Sequence, residues 1–359
     1  MSVKYINSGV DLNAISELHR KNSPQNRCSG VLDWQYNSHK TNGATIFAAV
    51  DENGDVVGSQ GAIYYKLLVS GKEVNSFKSE ATLIESNSRQ KVDFLTLYQS
   101  CINHIEKFNC DLFWGITPIP KLFAAFGMKN LGNLNSTGIL PLNHRGMLDL
   151  YQQTTDSNPK KIPLYRVASF FHFILFYPIF KLVAINKKLP GSVKILHDLK
   201  KSEDIINFHL KLNSKYHDQI FLYQDSEMIK WRIDSNPVKK IHKFFLYIED
   251  DLQGYCYLQE NDTNIEILEM AFKDQKLIKP LLKHLVLNHK KGASSLLIML
   301  NQENEIAQAM ISELKSSGFW ILNNKAFFTV MPVGKGKKLK SPADDPAKWF
   351  LSGLWREGV

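Results

Sequence analysis

The chain has few cysteines, and neither its cysteines nor its histidines have the spacing of a metal site. The four cysteines among 359 residues form no CxxC pair, the arrangement typical of zinc ligands and redox thiols. The eleven histidines form no HExxH motif and no cluster with cysteine, so the sequence predicts no metal site. Unpaired cysteines and the lack of a signal sequence lead us to expect a reducing, cytoplasmic location.

The sequence also lacks an uninterrupted apolar segment long enough to cross a membrane. Residues 164–185 are rich in apolar side chains, but Arg166, His172, Pro178 and Lys181 interrupt them. Each basic residue near the centre of a bilayer costs a few kcal/mol. This segment therefore predicts a buried connecting helix, and an anchor at the membrane surface is the alternative.

Length and charge indicate two domains and an anionic partner. A chain of 359 residues is too long for one hydrophobic core. Forty-four Lys and Arg against 35 Asp and Glu give a net charge of +9, which attracts anions such as phosphates. No helix-turn-helix, zinc-finger or RNA-recognition signature accompanies this charge, so nucleic acid is not the predicted partner.

The order of the predicted elements occurs twice along the chain. In each half, a segment containing tryptophan precedes a β-hairpin, a further strand, a helix, a short buried strand and a helix followed by glycine. Trp34 and Gly127 bound this unit in the first half, and Trp231 and Gly318 bound it in the second. A repeat of this length indicates duplication of a whole domain.

The repeated order predicts an α/β fold of two tandem domains. A hairpin followed by strands that alternate with helices forms a mixed, mostly antiparallel sheet with a parallel centre, flanked by helices. The predicted divisions are an N-terminal domain at 1–150, a helical connector at 151–190, a C-terminal domain at 191–335 and a basic, aromatic tail at 336–359. We expect the tail either to fold over a cleft between the domains or to form a solvated linker.

This element order and three short motifs resemble the GNAT superfamily of acyltransferases. WGITPIPKLFAAFGM at 114–128 is similar to the strand and helix with which GNAT domains end. The Trp-Gln-Tyr motif at 34–36 and the Trp-Arg-Ile-Asp-Ser-Asn-Pro motif at 231–237 are similar to those of tandem-domain relatives in surface-sugar biosynthesis. The resemblance implies an acyl-CoA-dependent N-acyltransferase of a nucleotide-linked amino-dideoxyhexose, as in lipopolysaccharide biosynthesis. A Fem-like aminoacyl transferase and a catalytically silent GNAT-like binding protein are the alternatives.

The resemblance places the acyl-CoA pyrophosphate at the N-terminus of the helix after the third strand. The family's motif there is Gln or Arg, two residues, Gly, one residue, and Gly or Ala; this chain has Arg89 but no glycine at 92–94. Glycine lets backbone approach phosphate closely, so a solvated loop with Asp93 as helix N-cap is the alternative. Residues 272–277 of the second half have neither Arg nor Gly, so we expect CoA in the first domain. The implied cofactor-binding residues are Leu83, Ile84, Glu85, Arg89, Gln90, Lys91, Val92, Asp93 and Thr117.

The resemblance also implies a site where an amine meets the thioester. The strand at 80–84 is expected to splay and to donate a backbone N–H to the thioester carbonyl. Glu80 is the predicted general base and Glu85 is the second candidate; for either residue, a surface or structural carboxylate is the alternative. Phe123 stands where many family members have a proton-donating tyrosine, so we expect the thiolate to leave without an acid. The implied substrate-binding residues are Trp34, Tyr36, Trp231 and Arg232; alternatively, the two tryptophans anchor the domain cores.

Overall fold

The computed structural model describes residues 3–7, 9–22, 27–38, 42–90, 92–154, 167, 170–171, 173–175, 189–289, 292–323 and 327–355. Lys91, one of the predicted cofactor-binding residues, lies outside this set, as does most of the predicted connector at 151–190. The described positions between 167 and 175 are helical. Among the described residues, no helix has the length and apolar character needed to cross a membrane.

Strands and helices follow the predicted order, with additional short elements. The strands are β1 (Lys4–Ile6), β2 (Thr45–Val50), β3 (Val56–Val69), β4 (Lys72–Ile84), β5 (Leu112–Thr117), β6 (Lys129–Asn130), β7 (Asn135–Pro141), β8 (Val193–Leu196), β9 (Ile220–Leu222), β10 (Ile241–Ile248), β11 (Asp251–Glu260), β12 (Asn264–Phe272), β13 (Ser295–Asn301), β14 (Trp320–Asn323) and β15 (Phe327–Pro332). The helices are α1 (Leu12–Asn22), α2 (Ser29–Tyr36), α3 (Phe94–Glu106), α4 (Pro120–Ala124), α5 (His144–Thr154), α6 (Asp204–Tyr216), α7 (Ser226–Ile229), α8 (Ile278–His289), α9 (Glu305–Ser316) and α10 (Lys340–Ala343).

The first sheet has the strand order β1-β2-β3-β4-β5-β15-β6, with β9 also paired to β3. Its central strands β4 and β5 are parallel, because α3 crosses over between them. The apolar face of α3, which includes Leu97, Cys101 and Ile105, packs on this sheet against Phe77 and Phe113. Those helix positions are four residues apart, so they form one stripe along the helix.

The second sheet has the order β14-β7-β13-β12-β11-β10-β8, and its β12 and β13 are again parallel. These two mixed sheets with their helices confirm the predicted fold class. The sheets also exchange a strand. β7 precedes the connector yet pairs with β13, whereas β15 follows the second repeat yet pairs with β5. Because strand exchange depends on pairing between distant segments, the repeated order of elements did not indicate it. The predicted domain boundaries stay a prediction.

The equivalent tryptophans of the two repeats meet in the core between the sheets. The indole N–H of Trp34 donates to the backbone carbonyl of Trp231 at 3.0 Å, and that of Trp231 donates to the carbonyl of Trp34 at 3.0 Å. Their ring centroids are 5.5 Å apart. Equivalent positions of the two repeats are therefore in direct contact, and each makes the same hydrogen bond to the other.

Candidate active site

A cleft opens where β4 and β5 diverge. Their parallel pairing ends at Lys78 and Trp114, and a bulge follows in β4 at Ala81, whose φ is +52°. Left-handed backbone at a residue other than glycine is sparsely populated and is concentrated at functional sites. The cavity volume of the cleft is about 270 Å³. That volume is close to the lower end of the range of small-molecule sites, about 300–1,000 Å³.

Side chains of β3 and β4 hold the bulge in place. The hydroxyl of Ser59 donates to the carbonyl of Ala81 at 2.7 Å. The amide of Gln60 donates to the hydroxyl of Ser79 at 3.1 Å and accepts from the hydroxyl of Thr82 at 2.6 Å. These bonds join β3 to β4 where the bulge interrupts the ladder between these two strands. The predicted splay of the strand at 80–84 is therefore present.

Glu80, the predicted general base, lies in the cleft wall and is bonded to two cations. Arg27 donates to one carboxylate oxygen at 3.1 Å, and the ammonium of Lys78 donates to the other. All three side chains are at least nine-tenths buried. Removing one member would leave an uncompensated buried charge. The sequence analysis did not identify either cation, although Lys78 and Glu80 are two residues apart on β4 and therefore lie on one face of the strand.

The buried ammonium of Lys78 predicts a pH-dependent stability. Burial lowers the pKa of Lys78 to about 8, although the neighbouring Glu80 raises it. At pH values between this pKa and the unfolded pKa of about 10.4, Lys78 is protonated in the unfolded chain but has lost its proton in the folded chain. The free energy of unfolding should therefore rise with pH across this interval. Urea unfolding of wild type and Lys78→Met should show their difference growing in favour of wild type from pH 8 to 10; a constant difference would contradict the prediction.

His19 of α1 also lines the cleft, although no motif in the sequence indicated it. Its Nε2 lies 3.1 Å from the hydroxyl of Ser59, which in turn supports the bulge. Burial, and then the charge of Arg27, lower the pKa of His19 to about 4. The imidazole is therefore neutral at neutral pH and can accept or donate a hydrogen bond without adding charge.

At the turn predicted to hold pyrophosphate, side chains of the protein already bond to the backbone N–H groups of Asp93 and Leu95. Asp93 is the N-cap of α3, and its carboxylate accepts from the backbone N–H of Leu95 at 2.9 Å and from the hydroxyl of Thr96. The Thr96 bond is the largest cause of the lowered pKa of Asp93. The backbone N–H of Asp93 donates to the hydroxyl of Tyr5 at 2.9 Å. Asp93 is thus the N-cap of α3, as the alternative interpretation predicted.

The remaining predicted cofactor residues divide between the cleft and its surroundings. Leu83 and Thr117 line the cleft. Ile84 packs on the apolar cluster that contains the buried side chain of Val92. The remaining three described residues lie on the turn itself: Glu85 is partly buried, whereas Arg89 and Gln90 are exposed. The phosphate contacts of these residues stay a prediction.

The predicted substrate-binding residues lie beneath the surface, in the core between the sheets. Trp34, Tyr36 and Trp231 are 6%, 3% and 7% exposed, and Arg232 is fully buried. The guanidinium of Arg232 lies 5.2 Å from the ring of Trp34 and 5.4 Å from that of Trp231. The hydroxyl of Tyr36 packs against Gly61 of β3, so closely that any side chain at position 61 would clash with it. Their burial suits the alternative role as core anchors, and contact with a substrate would need the core to open.

The equivalent splay of the second sheet is filled by the tail. Pairing of β12 with β13 ends at Ile267 and Ile298. Gly353 lies there against the backbone of Leu268, so closely that an added Cβ would be 2.9 Å from its carbonyl oxygen. The neighbouring carboxylate, Glu269, accepts hydrogen bonds from the hydroxyls of Ser352 and Tyr255 and from Gln224, and burial raises its pKa. The described tail therefore occupies the place that corresponds to the cleft.

Comparison with solved structures shows the fold. No protein-family model and no curated protein matches the sequence. The structure is similar to a GCN5-related N-acetyltransferase from Anabaena variabilis, with a TM-score of 0.59, 11% identity, and 93% of this chain and 73% of that chain covered. It is similar to a tandem GNAT protein from the clavulanic acid biosynthesis pathway, with a TM-score of 0.55, 11% identity, and 93% of this chain and 99% of that chain covered. It also resembles Saccharomyces cerevisiae N-myristoyltransferase with bound myristoyl-CoA, with a TM-score of 0.54, 14% identity, and 92% of this chain and 79% of that chain covered. The fold is that of tandem GNAT proteins.

Proposed function

We propose that this chain is an acyl-CoA-dependent N-acyltransferase whose single reaction centre is the cleft between β4 and β5. The observation that carries the proposal is the splayed, bulged β4 with a buried carboxylate, Glu80, at its edge. The structural neighbours support the same class, since one of them holds myristoyl-CoA. The filled splay of the second sheet supports a single centre.

In the proposed reaction, an acceptor amine attacks the carbonyl carbon of the thioester. The backbone of β4 beyond Ala81 donates to the carbonyl oxygen as it becomes negative. The carbon–sulfur bond breaks and CoA leaves as a thiolate; Phe123, which lines the cleft, cannot protonate it. The amine loses one proton to Glu80, directly or through water, once a cation partner of Glu80 has shifted. The neutral His19 orients the amine.

As acceptor we propose an amino sugar carried by a nucleoside diphosphate, with a role in surface polysaccharide synthesis. The net charge of +9 supports an anionic acceptor. The resemblance of the tryptophan motifs to tandem-domain sugar N-acyltransferases supports the sugar. Product analysis with a panel of acyl-CoAs and nucleotide-linked amino sugars would identify both substrates.

A catalytically silent binding protein is the second candidate, and one observation favours it. The carboxylate of Asp93 and the hydroxyl of Tyr5 already engage the backbone at the start of α3. A pyrophosphate at this helix N-terminus would have to displace that carboxylate, whose charge also repels it.

Binding of acetyl-CoA separates the two candidates. If residues 89–91 contact the pyrophosphate, Arg89→Ala combined with Lys91→Ala should weaken acetyl-CoA binding by about 10- to 100-fold, since a charge-assisted hydrogen bond contributes about 1.5–3 kcal/mol. Asp93→Asn keeps an N-cap but removes the charge, so it should tighten binding by about 3-fold or more. Isothermal titration calorimetry would measure both changes.

Lys72→Ala is the matched control, because Lys72 is exposed and lies at the opposite end of β4. It should leave the dissociation constant unchanged. Equal affinities in wild type and the double variant would remove the phosphate assignment. No binding of acetyl-CoA by wild type would leave the silent binding protein.

A further inference from the structure

Two histidines and a glutamate converge at one edge of the second sheet, outside the cleft. His289 Nδ1 lies 2.6 Å from Glu260 Oε1, and His242 Nε2 lies 3.5 Å from the same oxygen. The three ligand atoms all lie within 4.8 Å of one another. Because the residues come from two strands and a helix, their spacing along the chain does not indicate a metal site.

Regular secondary structure fixes all three positions. His242 on β10 pairs with Leu258 on β11, so Glu260, two residues further along β11, is on the same face. His289 is the last residue of α8, and its ring meets that of His242 at 4.9 Å and the edge of Phe244 at 5.6 Å. A site on strands and helices holds its ligands more firmly than a site on loops.

The donor set suits a borderline-soft divalent ion. Two imidazole nitrogens and one carboxylate oxygen are a ligand set of catalytic zinc sites, in which water completes the tetrahedron. Ligands at about 2.1 Å from such an ion lie about 3.4 Å from one another. The separation of 3.5 Å between His242 and Glu260 already matches this value. The 2.6 Å bond between His289 and Glu260 would widen as the ion replaces its proton.

We propose that His242, Glu260 and His289 bind a divalent transition-metal ion of the zinc class. The separation of 3.5 Å between His242 and Glu260 is too long for a strong hydrogen bond, whereas an ion between them would bond to both. The ion would join the end of α8 to the hairpin of β10 and β11, independently of the reaction in the cleft.

Titration of the full chain with zinc tests the site. The protein should carry no histidine tag and should be freed of metal with EDTA before titration. We expect one zinc ion per chain, and about 5 °C higher thermal stability at a hundredfold excess over the dissociation constant. Cobalt at the same site should give the visible absorption of a tetrahedral complex. His242→Ala and His289→Ala should each weaken zinc binding by more than about 100-fold, because even outer-sphere partners contribute 10- to 100-fold.

His284→Ala is the matched control. His284 lies on the same helix, close to the site, but is not one of the three ligands. It should leave the affinity for zinc unchanged. The proposal is wrong if wild type does not bind zinc, if His242→Ala binds it as tightly as wild type, or if His284→Ala abolishes binding. Circular dichroism confirms that each variant is folded, and His242→Asn and His289→Asn replace any that is not.

Discussion

Glu80→Gln should lower kcat/KM for acyl transfer by about 10²- to 10⁴-fold, the range that general-base catalysis contributes. Glutamine has nearly the same shape but cannot accept the proton of the attacking amine. The KM for acyl-CoA should change little, since the proposed contacts of Glu80 are with the amine. Steady-state kinetics of thiol release would measure both parameters.

The same substitution should also lower stability, because it leaves Lys78 and Arg27 without their anion. Breaking a buried ion pair by removing one partner costs about 3–5 kcal/mol. A loss of activity would therefore be ambiguous if the variant were partly unfolded. Activity should be measured well below the melting temperature of Glu80→Gln, with circular dichroism as the check on folding.

The double variant Lys78→Met, Glu80→Gln separates the two effects. It removes one cation together with the anion, so it should recover part of the lost stability. If Glu80 takes the proton, the double variant remains as inactive as Glu80→Gln. Recovery of activity along with stability would show that Glu80 is only a structural carboxylate, the alternative that the sequence also left open.

Local patterns predicted the elements around the site well. In both halves the hairpin, the further strand, the helix and the short buried strand follow one another in the predicted order. Asp93 caps α3, as an aspartate before an apolar helix favours. The cleft too was predictable, because the resemblance implied a splay at 80–84. These features depend on residues close together in the chain or on a family pattern.

Contacts between distant segments could not be predicted in this way. The exchange of β7 and β15 between the sheets and the hydrogen bond of Arg27 to Glu80 depend on long-range pairing. A lone buried lysine such as Lys78 looks, in sequence, like any exposed lysine on a strand. The convergence of His242 with His289 likewise appears only after the sheet is assembled.

The packing of the tail also depends on long-range contacts, and truncating its buried Trp349 should strongly lower the stability of the protein. Trp349 is fully buried, its indole N–H donates to the carbonyl of Ala343 at 3.0 Å, and its ring lies 4.7 Å from Phe328 of β15. Asn301 of β13 donates to the carbonyl of Trp349 at 2.7 Å. The tail thus contacts a strand of each sheet, and neither expected arrangement, a cover over the cleft or a solvated linker, describes it.

Trp349→Ala should therefore lower the free energy of unfolding by about 3–5 kcal/mol, the usual cost of truncating a buried tryptophan. Trp320→Ala is the control, because Trp320 is 44% exposed on the edge strand β14; it should cost about 1 kcal/mol or less. Urea unfolding followed by far-ultraviolet circular dichroism would measure both losses. Equal losses would mean that the tail is peripheral. A much larger loss for Trp349→Ala would show that the tail belongs to the core that joins the two sheets. A ligand could then enter the space between β12 and β13 only if the tail unfolded.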